Sequence, residues 1–160
     1  MIQINIGDHT SSQAGYIAFP NNRLATIRWA RTKAIWIAAN IATANPYYRG
    51  LPGGRSLTDL LADRSIWINY HPTMVDFGET NFAGGKEIAI ANASFRIGRW
   101  TVLATLVHEL AHVDGGRVRR RCRWRSREAA PGSASAGAWP AGRALMRPTG
   151  QAPAPPAMCA

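Results

Sequence analysis

The sequence predicts an α+β domain over residues 1–116, followed by a compositionally distinct tail at 117–160. Three observations carry that reading. Segments 1–6, 66–70 and 86–93 place apolar residues at every second position, the period of a strand with one buried face. Segments 22–45 and 99–113 repeat them at spacings of three and four, the period of a helix lying on a core. The tail shows neither period: 33 of its 44 residues are Ala, Arg, Pro, Gly or Ser, a composition that buries too little apolar surface to offset its ordering entropy.

Each element follows from its own residues. Ile2, Ile4 and Ile6 alternate with Gln3 and Asn5, so the chain opens on a strand. A polar loop runs through Gly15. From Asn22 to Asn45, Leu24, Ile27, Ala30, Ala34, Ala38 and Ile41 line one face of a long helix, which Asn45-Pro46 is expected to stop. Pro52-Gly53-Gly54 marks a loop, and Ser56 with Asp59 three residues on forms a capping-box pattern for a short helix through Leu60 and Leu61. Ile66, Ile68 and Tyr70 alternate with Trp67 and Asn69 in a second strand that ends at His71-Pro72.

A long loop then leads to Gly84-Gly85 and a strand over Lys86 to Ala93. Ala89, Ala91 and Ala93 leave one of its faces thinly covered, which predicts a place near the sheet edge. From Arg99 to Val113 the period is helical. Leu103, Leu106, Val107 and Leu110 form the apolar face, Thr101, Thr105, His108 and His112 align on the opposite one, and Gly115-Gly116 supplies the stop.

Charge and composition exclude several classes. The 160 residues carry a formal net charge of +10, which by itself points to nucleic acid or an anionic surface. Its distribution removes that inference for the body: residues 1–116 hold ten basic and eight acidic side chains, net +2, and the tail holds nine Arg against Glu128, net +8. No stretch reaches the roughly 20 apolar residues of a membrane span. The opening MIQINIGDHT has no basic segment before an apolar run, so a cytoplasmic location, or export without a Sec signal, is expected. Both cysteines, Cys122 and Cys159, lie in the tail, so the body has neither a disulfide framework nor a thiolate metal site. Nothing matches a phosphate-binding loop, a dinucleotide fingerprint or a serine-nucleophile elbow.

The chemistry concentrates in the helix at 99–113, which contains His108-Glu109-Leu110-Ala111-His112, an HExxH motif. Residues four apart stand one turn above each other, so both imidazoles reach one metal ion from a rigid rod. Neutral imidazole suits Zn2+, and the adjacent Glu109 is placed to take a proton from water at the metal without being a ligand. With four His and four Glu in the chain, such a motif arises by chance in roughly 0.2% of sequences of this composition. Accident is therefore a poor account of it, particularly on a helix whose apolar residues lie on the correct side.

The segment TLVHELAHVDG resembles the active-site helix of zincin metallopeptidases, and the order of elements over about residues 22–116 is similar to their upper subdomain. The resemblance implies a mixed sheet, a long backing helix, Zn2+ held by His108 and His112, Glu109 as catalytic base, and hydrolysis of a peptide or protein substrate. It also implies that the substrate pairs with the strand Lys86 to Ala93 by strand addition. Catalytic zinc usually has three protein ligands. A metzincin-like HExxHxxGxxH pattern runs through Gly115 but meets Val118 in place of the last histidine. Two candidates are left for the third position: Glu128, in the gluzincin manner, and Asp114, if the helix end turns it back.

The tail has two readings of its own. A shift of reading frame near Gly116 would give its G- and C-rich codon usage and leave a truncated or inactive copy without the authentic third ligand. Alternatively RVRRRCRWRSR at 117–127 is a basic arm that tracks phosphates, with Trp124 stacking on bases, in a non-catalytic nucleic-acid or anion-binding protein. Among single residues, His71 is a candidate oxyanion donor or spare ligand, and Tyr47, Tyr48 and Tyr70 are candidate hydroxyl donors. For all four, packing or solvation is the simpler expectation. His9 has no evident partner.

Overall fold

The computed structural model describes residues 1–117. The tail from 118 onward, with Glu128, Trp124 and both cysteines, lies outside the described residues. The elements run β1 (Gln3–Ile4), α1 (Asn21–Asn40), α2 (Ala44–Arg49), α3 (Leu57–Ala62), β2 (Trp67–His71), β3 (Gly78–Thr80), β4 (Glu87–Ala91), α4 (Asn92–Ile97) and α5 (Arg99–Val113). They form an α+β fold, a mixed four-stranded sheet packed against helices. The sheet order is β1-β2-β4-β3, with β1, β2 and β4 parallel and β3 antiparallel to β4.

One face of the sheet makes the core. Ile2, Ile66, Ile68, Ile88 and Ile90 are fully buried there with Val102, Leu106 and Leu110 of α5. Ile27, Ala30, Ala34 and Ala38 form the buried stripe of α1, and three alanines at that spacing let α1 lie close along α5. The other face is covered by the loop at 8–17. His9 stacks on Trp67 with ring centroids 4.2 Å apart and bonds Glu87, Ser11 also bonds Glu87, and Ile17 bridges to Tyr70. The polar loop is thus a lid on the sheet, and His9, without an evident partner in the sequence, has two. It is also why Asn69, expected on a solvated face, is completely buried, its Oδ1 accepting from Asn5 Nδ2 at 2.8 Å.

Three expectations are corrected. The long helix ends at Asn40, not Asn45: Ile41 is extended, and Asn45 Nδ2 reaches back to the carbonyl of Ala38 at 2.9 Å. Pro46 then sits in the first turn of α2, where its missing N–H leaves no bond unmade, so Asn45-Pro46 opens a helix. The strand at 86–93 shrinks to Glu87–Ala91 and is interior, flanked by β2 and β3. Ala89 and Ala91 are fully buried; their small size reflects the covering loop, not exposure. The edge on that side is β3, whose Gly-Glu-Thr has no apolar alternation to announce it.

The capping box is present as expected. Ser56 Oγ accepts from the amide of Asp59, and Asp59 Oδ2 accepts from the amide of Ser56. The helix α5 matches its expected range from Arg99 to Val113. No described helix is long and apolar enough to cross a membrane.

Candidate metal centre

Helix α5 carries the site because its two sides face different neighbours. Leu103, Leu106 and Leu110 point into the core, and Thr105 and Glu109 turn toward β3. Of the polar residues aligned along this helix, Thr105 and His112 are buried and His108 is exposed. Strand β3 comes so close that a Cβ on Gly78 would lie 2.4 Å from Thr105 Cγ2 and 2.9 Å from the carbonyl of Ala89. Only glycine permits that approach. Two residues on, Thr80 Oγ1 donates to Glu109 Oε2 at 2.9 Å.

The two imidazoles converge. His108 Nε2 and His112 Nε2 are 3.0 Å apart, with ring planes at 88°. His112 is buried, and its Nδ1 lies 2.9 Å from the carbonyl of Gly116, which accepts the proton and leaves the Nε2 lone pair facing His108. Burial and the neighbouring His112 hold the His108 pKa below the ordinary histidine value, so it is neutral and able to bind metal at neutral pH.

The glycine stop does more than end the helix. The amide of Gly116 donates to Ala111 and that of Gly115 to His112, a complete Schellman arrangement with Gly115 at φ +78°. A Cβ on Gly116 would be 2.6 Å from the Ala111 carbonyl. This tight turn is what brings the Gly116 carbonyl onto His112. The remaining carbonyls at the helix end are also satisfied: Gly84 donates to His112, Arg55 Nη2 to Val113, and Gly53 to Asp114.

Glu109 is 4% exposed. Burial pushes its carboxyl above the ordinary glutamate range; the Thr80 hydroxyl works against that rise, and Glu79 and Asp76 add to it. One ligand atom from each of His108, Glu109 and His112 lies within 4.8 Å of the others, and they are the group of possible metal-binding side chains among the described residues. The spacing suits a metal ion held between two imidazoles. Two imidazole nitrogens at about 2.0–2.1 Å from a tetrahedral Zn2+ stand roughly 3.3 Å apart, so the pair needs to open by only about 0.3 Å.

The other candidates are placed elsewhere. Asp114 does turn back from the helix end, but toward Arg55, not the histidines. Its Oδ1 is 3.0 Å from Arg55 Nε, its Oδ2 accepts from the Arg55 amide, and it is 1% exposed. It is consumed by that ion pair, so it is corrected from candidate ligand to anchor. Glu128 lies outside the described residues. His71, on β2, accepts from the amide of Met74 and is outside the cluster. Tyr48 donates its hydroxyl to the carbonyl of Val107 and Tyr70 is buried in the core, so both are packing residues. Tyr47, 64% exposed, lines an apolar cleft of about 560 Å³ beside His108. Sequence reasoning missed Thr80, Gly78 and Gly116. The first two lie in a stretch without periodicity, whereas Gly115-Gly116 was visible as a stop but not as a support for His112.

Comparison with protein-family models, curated proteins and solved structures finds no match to this chain.

Proposed function

We propose that residues 1–117 form the metal-bearing part of a zinc-dependent peptidase of the zincin kind. His108 and His112 hold Zn2+, and Glu109 is the general base for hydrolysis of a peptide bond. The observation that carries this reading is the 3.0 Å approach of two imidazole nitrogens beside a buried carboxyl group one residue away. Bound Zn2+ would supply Lewis acidity, polarising a carbonyl and making water more acidic. His108 and His112 supply two of the three protein ligands usual at a catalytic zinc.

The chain's own groups do the rest. Thr80 fixes Glu109 Oε2, which leaves Oε1 to take the proton from water as its hydroxyl adds to the carbonyl carbon. The same carboxyl then delivers that proton to the amine nitrogen as the C–N bond breaks. Burial favours this shuttle, because a carboxylate that resists ionisation is a better acceptor at neutral pH.

The substrate strand belongs at β3. Phe77 and Asn81 bond β4 through their backbones, so by antiparallel alternation the N–H and C=O groups of Gly78 and Thr80 point to the open edge. An extended peptide pairing there lies beside Glu109. Glu109→Gln is the test: zinc is retained and hydrolysis of an unstructured polypeptide is lost. Turnover by this variant would remove Glu109 from its role, and unchanged zinc content in His112→Ala would sink the site.

A further inference from the structure

We propose that the cleft between α1 and the outer edge of β1 is an oxyanion site that takes the phosphoryl group of a small phosphorylated ligand, on Arg28, Arg31 and Arg64. It lies at the opposite edge of the sheet from β3 and does not depend on the metal centre.

The cleft has a volume of about 340 Å³ and is lined by those three arginines together with Ile2, Ile4 and Ile6. No carboxylate lines it, and none of the three guanidinium groups has an ion pair among the described residues. The arrangement is built, not incidental. Arg28 and Arg31 are three apart on α1 and therefore neighbours on its surface. Arg31 is half-buried, its Nη1 tied to the carbonyl of Ile2 at 3.1 Å. Arg64 is brought across by Gln3, whose Nε2 donates to the Arg64 carbonyl at 2.6 Å. The acid next in sequence, Asp63, is turned away: its Oδ2 pairs with Arg55, and its Oδ1 accepts from Ser65.

Three like charges gathered without a counter-charge are unfavourable. Burial, and then the proximity of Arg28, lower the pKa of Arg31. A backbone donor completes the cleft. Gln3 and Asn5 donate their amides to β2, so the N–H of Ile4 points to the outer edge. A carboxylate satisfies one guanidinium fork; a dianionic phosphoryl group offers oxygens in three directions and matches three.

The test is titration of the full chain with inorganic phosphate at constant ionic strength, followed by the Nε–Hε signals of the arginines, with succinate as a phosphate-free dianion. The expected result is saturable movement of the Arg28, Arg31 and Arg64 signals by phosphate, and at least about tenfold weaker binding in Arg64→Gln, whose exposed side chain is not needed for folding. Arg31→Gln should weaken binding similarly. At about ten times Kd, phosphate should also raise the melting temperature of the wild type by roughly 5 °C and that of Arg64→Gln by much less. Equal shifts with succinate, shifts that follow ionic strength alone, or undiminished binding in Arg64→Gln would each overturn the assignment.

Discussion

At the β3 edge of the sheet carboxyl groups gather, with Glu79 on the strand, Asp76 before it and Glu109 on the adjacent helix. At the β1 edge guanidinium groups gather, Arg28, Arg31 and Arg64, with no acid lining their cleft. The two edges also differ in construction. β3 is antiparallel and closely covered by α5, and β1 is parallel and bordered by the side of α1. One short sheet therefore offers a site suited to a cation at one end and a site suited to an anion at the other. The sheet's interior strands are apolar toward the helices and separate the two, so each edge should respond to substitution independently.

That independence can be broken most forcefully where α5 ends. Arg55→Ala leaves the Asp114 side chain, wholly inaccessible to solvent, without its cation. The expected loss is about 3 kcal/mol in urea unfolding, with weaker zinc binding because the last turn of α5 loosens. Arginine titration at the β1 edge should be unchanged, and joint loss of both sites with the fold intact would show that they are coupled. Next in size is Gly78→Val, which forces β3 off Thr105 and the Ala89 carbonyl. About 2 kcal/mol of stability should be lost, along with hydrolysis, and a neutral effect would show that the close approach is not required.

Smaller effects sharpen the contrast. Thr80→Val removes one hydroxyl from Glu109 and should cost about 1 kcal/mol or less, with hydrolysis reduced about tenfold. Unchanged turnover would mean that Glu109 is oriented without it. The smallest effect is on pH dependence. Bonds from Ser56 to Asp59 and from Ser65 to Asp63 hold both carboxyls below the ordinary aspartate value near 3.8. Their folded values are depressed, so the stability they contribute is present above that value and is lost as pH falls through the lower folded ones. Asp63→Asn should flatten that acid limb in urea midpoints measured down to roughly pH 3, and an unaltered limb would place the titration elsewhere.

How much of this was legible in the sequence differs between the same two edges. β1 was plain in part: Ile2 and Ile4 are buried as their period of two announced, but the strand covers only Gln3–Ile4, and Ile6 beyond it is exposed. β3 was not: Gly78, Glu79 and Thr80 are chosen for close approach, solvent and a bond to Glu109, none of which leaves a periodic trace. That omission made the interior β4 look like an edge, since its alanines suggested exposure when they actually lie beneath the loop at 8–17. The helix α5 and its motif were readable to the residue, because amphipathic period, histidine spacing and a glycine stop all agree there. The arginine cleft was hidden because Arg64 is far in sequence from Arg28 and Arg31, and it is the pairing of β1 with β2, with the Gln3 contact, that brings it near.

The central claim is that His108 and His112 hold one metal ion between them, and zinc K-edge X-ray absorption on the full chain, purified without added metal, addresses it most directly. The expected result is about one zinc per chain with two imidazole ligands at about 2.0–2.1 Å, and loss of that signal in His112→Ala. A chain without zinc that also fails to take it up, or bound zinc whose spectrum shows no imidazole, would contradict it.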